Sequence, residues 1–292
     1  NRTTSNTSSE YNYTIPKSNL QNQENVSYYI TANDSSNNLA QSTIRSFFVE
    51  NRAPGNVTLL TPANASSDTD RTPTLDWTDA TDLDSDTITY KLEVARSTDS
   101  LFATPVINVT TSSSTYTTTQ LDVDSTYFWR VIVNDSYVNS NTSATFRFTI
   151  DSQVVVSLVN NSVTFPSLNN EQTDHTADDN PQPFYIQNDG NAFINITTSA
   201  TAALWQTQSL PSTYFQFAAN DSNETGSFNR GQSKLNWTDM NSIANSTVGL
   251  LNWTDTNDSA EIEIKIQVPI DEPAGARTAT VNLLGELTSS TL

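Results

Sequence analysis

The sequence predicts an all-β protein built from tandem β-sandwiches, and three observations predict it. Within residues 121–136, Tyr127, Trp129, Val131 and Val133 fall at every second position, the spacing that sends alternate side chains of a strand into one core. A tryptophan-bearing segment at 73–78 and an alternating one at 88–94 precede that run, and Phe146, Phe148 and Ile150 follow it. The third observation is a repeat. Asn33-Asp34-Ser35 matches Asn134-Asp135-Ser136 at an offset of 101 residues, and the same offset, without a gap, sets Leu20 on Leu121, Phe47 on Phe148 and Val49 on Ile150.

Taken in order, residues 1–53 read as the second half of a module, with alternating Val26, Tyr28 and Ile30 and a closing strand at Phe47 and Val49. Val26 stands where the repeat has Tyr127, which is a departure from the pattern. Half a sandwich exposes its inner face, so missing strands are expected. A longer polypeptide is the favoured source, since the chain starts at Asn1, and strand addition by another subunit is the alternative. Pro54 and Gly55 then interrupt strand pairing and mark a junction, the central module runs over 54–150, and Asp151-Ser152 leads directly into the next strand at 154–158. Links this short imply modules held stiffly end to end. Trp77 on its strand, Tyr127 at the corner six residues after Leu121, and the closing strand come in an order that resembles a fibronectin type III module of the kind found in tandem on cell-surface and secreted proteins, particularly of archaea and bacteria. The resemblance covers about a third of the chain and implies a fold and a modular habit, not a function.

Residues 151–292 do not repeat that pattern but again read as β. Asn188-Asp189-Gly190-Asn191 reads as a tight turn joining two strands into a hairpin, because these residues tolerate positive φ. Ile262, Ile264, Ile266 and Val268 alternate with Glu261, Glu263 and Lys265, which predicts aliphatics inward and charges outward. The turn at 188–191, with Glu272-Pro273-Ala274-Gly275 ahead of a last strand at 278–284, is similar to immunoglobulin-like domains near the ends of archaeal surface and S-layer proteins. The expected organisation is therefore the C-terminal part of a fibronectin III-like or immunoglobulin-like module at 1–53, a fibronectin type III-like domain at 54–150, and an immunoglobulin-like β-sandwich at 151–292.

Composition narrows the partners. Thirteen basic against 32 acidic residues give a net charge of −19, which repels nucleic acid and anionic lipid and favours cations. With no cysteine there is no disulfide framework and no thiolate zinc site. No apolar stretch approaches the roughly 20 residues of a membrane span, so any membrane anchor or signal peptide is expected outside this chain. Asn-X-Ser/Thr occurs at eighteen places, including Asn6, Asn12, Asn25, Asn33, Asn56, Asn64, Asn108, Asn134, Asn141, Asn160, Asn195, Asn220, Asn223, Asn236, Asn245, Asn252 and Asn257. A chain rich in Asn, Ser and Thr makes some of these by composition alone. Their density, with the missing cysteines, resembles archaeal surface glycoproteins and implies N-linked glycans on an extracellular protein.

Asp79, Asp82, Asp84 and Asp86 form the sharpest chemical constellation, because alternate carboxylates in a loop between strands can converge on one calcium ion, which takes six to eight hard oxygens. The bland reading is a solvated acidic turn. There is no EF-hand glycine and no terminal bidentate Glu, so this is not that motif. His175, the single histidine, sits in an acidic stretch without a partner histidine and reads as a loop residue. Trp237 and Trp253 each lie inside a sequon in the repeated Asn-Trp-Thr-Asp; they could stack on sugars or a subunit, or simply cover the edge of the core or their own glycan. Trp77, Trp129 and Trp205 read as core residues. No phosphate loop and no nucleophile elbow is present, so no catalytic residue is assigned. The expectation is a structural protein that self-associates into a homopolymer or lattice, with an adhesin or carbohydrate-binding accessory module as the alternative.

Overall fold

The computed structural model describes residues 13–16, 19–135, 137 and 140–288; Asn6 and Asn12 lie outside the described residues. The chain divides into two compact units, one of Asn1–Ser66, Pro73–Thr118 and Thr126–Phe148, the other of Ser67–Thr72, Thr119–Ser125 and Thr149–Leu292. It is all-β: beyond a 3-10 turn at Arg230–Gln232, the regular elements among the described residues are strands, and no helix is long and apolar enough to cross a membrane.

The first strands are β1 (Glu24–Tyr28), β2 (Thr31–Asn33), β3 (Leu39–Gln41) and β4 (Arg45–Val49). They pair β1 with β4 and β2 with β3, both antiparallel. The central sandwich follows with β5 (Leu59–Thr61), β6 (Ser66–Asp68), β7 (Thr74–Trp77), β8 (Thr89–Arg96), β9 (Ile107–Thr111), β10 (Thr115–Thr117), β11 (Ser125–Asn134), β12 (Ser140–Thr142) and β13 (Phe146–Ile150). One sheet runs β10-β7-β5 and the other β6-β13-β11-β8-β9, with β12 added to β11. This is the two-sheet arrangement that the fibronectin type III resemblance implied. Its core is the alternating set: Leu75, Trp77, Leu92, Val94, Tyr127, Trp129, Val131 and Phe148 are each at most 1% exposed. The rings meet edge-on at Trp77–Tyr90 and Trp129–Phe146 and stacked at Tyr127–Phe148, geometries that suit the aromatic quadrupole.

The repeat holds at the level of strand register. Thr31↔Gln41, Ala32↔Ala40 and Asn33↔Leu39 in the β2–β3 pair correspond at the same offset to Ile132↔Thr142, Val133↔Asn141 and Asn134↔Ser140 in β11–β12. Hydrogen bonds match as well. Ser42 donates its N–H to the Ile30 carbonyl at 2.8 Å, as Ser143 does to Val131 at 2.9 Å, and each serine hydroxyl accepts the N–H of that same partner. Gln23 and Asp124, the residues before β1 and β11, both have positive φ, 61° and 52°.

The last sandwich holds β14 (Val156–Asn160), β15 (Thr173–His175), β16 (Phe184–Asn188), β17 (Ile194–Ala200), β18 (Ser212–Asp221), β19 (Thr238–Met240), β20 (Asn245–Leu251), β21 (Ser259–Gln267) and β22 (Val281–Leu287). One sheet runs β14-β16-β21-β18-β19 with β15 on β21, and the other β20-β17-β22. Ile186, Ile194, Ile196, Phe217, Met240, Val248 and Ile262 fill the space between, all fully buried.

The packing of the last sandwich differs from the sequence reading at a turn and at a glutamate. The turn at 188–191 does not close a hairpin: β16 and β17 belong to different sheets, so it is a corner that carries the chain across the sandwich. None of its residues has positive φ. Gly190 is required for close approach instead, since a Cβ there would stand 2.2 Å from the Gln153 carbonyl oxygen. Asn188 is fully buried and donates to the carbonyls of Ala192 and Leu251, which fixes the corner. The glutamate is Glu263, expected outward but only 3% exposed. β21 lies mid-sheet with β15 also on it, and Glu263 accepts hydrogen bonds from the Thr176 hydroxyl and, at 3.0 Å, from the Asn220 amide.

Candidate functional site

The acidic loop between β7 and β8 is folded by one of its own carboxylates. Asp82 accepts the N–H groups of Asp84 at 2.6 Å and Asp86 at 3.2 Å, an aspartate-capped turn, and Ser85 takes φ 67° within it. That turn brings Asp82, Asp84 and Asp86 together, with one oxygen of each within 4.8 Å of the others; Asp79 stands outside the group. The neighbours are residues that sequence reasoning missed. Arg52 pairs with Asp84 through its guanidinium at 3.0 Å and its N–H at 2.9 Å. Asn22 donates to Asp86 at 2.6 Å and to Asn51 at 2.9 Å, and Asn51 donates to Asp135 at 2.7 Å. Asp135 could have been flagged by the repeat, because Asp34 occupies the same place and caps the N–H two residues on, as Asp135 does.

Three carboxylates against one guanidinium leave excess negative charge in a site where the Asp84 side chain is only 5% exposed. The second oxygen of Asp82 is buried with no hydrogen-bond partner, a position that costs desolvation unless a cation or water meets it. All-oxygen ligation, partial burial and an orphaned lone pair fit a calcium ion, and Asp82, Asp84 and Asp86 are the residues that would hold it.

The tryptophans divide as the sequence suggested for three of them: Trp77, Trp129 and Trp205 are buried. Trp237 is partly buried with the His175 ring 6.1 Å away and Lys265 over it at 5.8 Å; the lone histidine, expected in a loop, is on strand β15 instead. Trp253 carries the Arg71 guanidinium over its ring at 4.5 Å, a cation–π contact, beside a cleft of about 440 Å³ lined also by Gln120, Asn191, Thr254 and Asp255.

The sequons sort by what their side-chain nitrogen does. Asn25, Asn56, Asn64, Asn108, Asn223 and Asn236 are exposed, and Asn64 uses only its oxygen, accepting from the Arg147 N–H. Asn33 is exposed with its amide 3.4 Å from the Asn37 oxygen. Asn134, Asn195, Asn245 and Asn252 are partly buried, with Asn195 accepting from the Leu250 N–H. In Asn141, Asn160, Asn220 and Asn257 the amide nitrogen itself is a donor, to Pro54, Pro183, Glu263 and Thr225.

The larger cleft, about 940 Å³ within the last sandwich, is lined by apolar residues such as Phe165, Phe184, Trp205, Phe215 and Ile266. Its ionisable lining residues are Glu272 and Arg277, paired with each other at 2.6 Å. Burial raises the Glu272 pKa, but the Gln206 N–H, Arg277 and Thr207 outweigh it and hold the carboxyl at about 2. On β21, burial and the nearby Glu263, Asp179 and Asp221 charges push Glu261 up to about 7. Asp258 is raised by burial and by Glu224, Asp189 and Asp255, against the lowering hydrogen bond of Gln187. Neither raised acid lines either of the two clefts described, and Ser259, next to Asp258 in the chain, donates its hydroxyl to Glu224 at 2.6 Å.

No family model matches the chain, and no curated protein matches it either. Among solved structures, an α-L-rhamnosidase from Dictyoglumus thermophilum overlaps 82% of this chain and 28% of its own at 12% identity, with a TM-score of 0.27. A chitinase from Bacillus thuringiensis overlaps 79% of this chain and 29% of its own at 16% identity and TM-score 0.24. The FN1–FN3 domains of chicken CNTN1 overlap 87% of this chain and 77% of their own at 10% identity and TM-score 0.28. The chain spans less than a third of the length of the first two, and all three overlaps are shallow.

Proposed function

We propose that this chain is part of an extracellular, N-glycosylated structural protein of an archaeal or bacterial cell surface, a subunit of a surface layer, sheath or filament assembled from tandem β-sandwiches, with no catalytic centre of its own. The observation that carries the reading is one module type repeated along the chain with the same register, on a surface dense in sequons and negative charge. A calcium ion held by Asp82, Asp84 and Asp86, with Asp79 nearby in sequence, offsets part of the repulsion that a net charge of −19 sets against self-association. Electron microscopy of the native envelope tests this: an ordered lattice or filament containing the chain is expected, and a chain found only in the soluble secreted fraction contradicts it.

The second reading, an adhesin or carbohydrate-binding accessory module, is favoured by one feature, the cleft where Trp253 and Arg71 lie beside two amides and a carboxylate. A glycan array decides it. Selective binding that Trp253→Ala abolishes, with Trp237→Ala as the comparison, supports this reading; binding to no glycan removes it.

A further inference from the structure

Residues 24–49 copy a part of the central sandwich whose inner face is sealed, yet in the copy that face is open. Trp129, Val131 and Phe148 are 0% exposed, whereas their counterparts Tyr28, Ile30 and Phe47 are 40%, 65% and 38% exposed. Two features seal the original. Strands β5, β7 and β10 form the opposite sheet with buried Leu59, Leu75 and Trp77, and β8 pairs along most of β11, from Tyr127↔Arg96 to Asn134↔Thr89. In the copy, among the described residues, β1 pairs only with β4 and β2 only with β3, so the edge that β8 takes in the original offers alternate free peptide groups over residues 26–33.

We propose that this face and edge seat a complementary half-module, carried in the same polypeptide ahead of residue 20, with strands equivalent to β5, β7, β8 and β10. The entry corner identifies the source. Gln23 repeats the positive φ of Asp124, and its N–H donates to the Val49 carbonyl at 2.8 Å, so the chain reaches β1 by the same corner through which the central module reaches β11 from its first strands. The occupant's chemistry follows from the twin: an alternating apolar face with a large ring in its second strand to meet Tyr28, Ile30 and Phe47, and a long strand to hydrogen-bond along 26–33. A second copy of the residues described here offers the same open face and the same free edge, but no unpaired counterpart of the β10-β7-β5 sheet to cover the face.

The repeat supplies the test. Residues 54–120 replace residues 1–19 ahead of Leu20, with 20–292 unchanged, joining Gln120 to Leu20 as it normally joins Leu121, and amide hydrogen exchange is followed over 24–33 and 45–49. Exchange should slow about 100-fold or more relative to the unextended chain, and Ile30→Asp in the extended chain should return it to the unextended rate. A second extended chain with Val26→Tyr, Tyr28→Trp and Ala32→Val restores the twin's inner residues in case the hybrid core packs poorly; if neither extension slows exchange, the proposal is overturned. Sedimentation of the unextended chain gives the other decision. Self-association unchanged by Ile30→Asp is expected, and association that Ile30→Asp abolishes assigns the face to a second copy and overturns the proposal.

Discussion

Glu261 is where the acidity of this chain works against its fold. A carboxyl with a folded pKa of about 7, against an ordinary value near 4.5, binds more protons folded than unfolded between those values, so stability falls as pH rises across that window. Glu261→Gln should therefore leave stability at pH 4.5 almost unchanged and raise it by about 1 kcal/mol at pH 8, the shift being discounted because the side chain is only partly buried. Urea melts of both proteins at the two pH values check it, and an equal difference at both contradicts it. Glu272 has the opposite sign: its lowered pKa gives stability that is complete above its ordinary value and lost as pH falls toward about 2. The sequence shows such residues only in part. Alternation placed Ile262, Ile264 and Ile266 correctly, but it cannot say whether the outer face of a strand is covered, and so it missed that Glu263 is buried beneath Thr176 and Asn220. Sequons have the same ambiguity. Glycopeptide mapping of the native protein should find sugar on exposed Asn64, Asn108 and Asn236, and bare asparagine at Asn141, Asn160, Asn220 and Asn257, where a glycan would take a nitrogen already bonded to the fold.

Among the elements, the loop from β7 to β8 and the strand β11 carry the sharpest consequences. If Asp82, Asp84 and Asp86 hold calcium, tenfold saturation over the dissociation constant adds about 1.4 kcal/mol, a rise of a few degrees in the melting midpoint. The rise should vanish in Asp86→Asn and be absent with magnesium; equal midpoints in calcium and in chelator end the calcium assignment. Trp129→Ala removes the largest side chain of β11 from a fully buried site and should cost about 3–5 kcal/mol in denaturant unfolding of the first unit. β11 was legible because its alternation is long and its period unambiguous. The corner at 188–191 was not, because a tight turn looks the same in sequence whether the following strand pairs with its predecessor or leaves for the other sheet. Steric crowding by the Gln153 carbonyl sets Gly190, and that crowding comes from 37 residues away in the chain, beyond any local pattern. In the acidic loop, the convergence of three carboxylates followed from their alternation, while the partners Arg52, Asn22 and Asn51 arrive from an earlier module and have no local signal.

For the molecule as a whole, the module is the repeated unit. The offset of 101 residues, visible in a few matched side chains, became a matched set of registers, caps and left-handed entry residues, which is why the fold class was readable while function was not. Sandwich faces give stability, and any function lies in surfaces added to them: sequons, an acidic loop, a tryptophan cleft and an open half-module. The most direct test of the structural reading is sedimentation velocity of the native, glycosylated protein over a hundredfold range of concentration, with calcium present. A distribution that moves to large, ordered species as concentration rises is the predicted result; a single monomeric boundary at every concentration would contradict it.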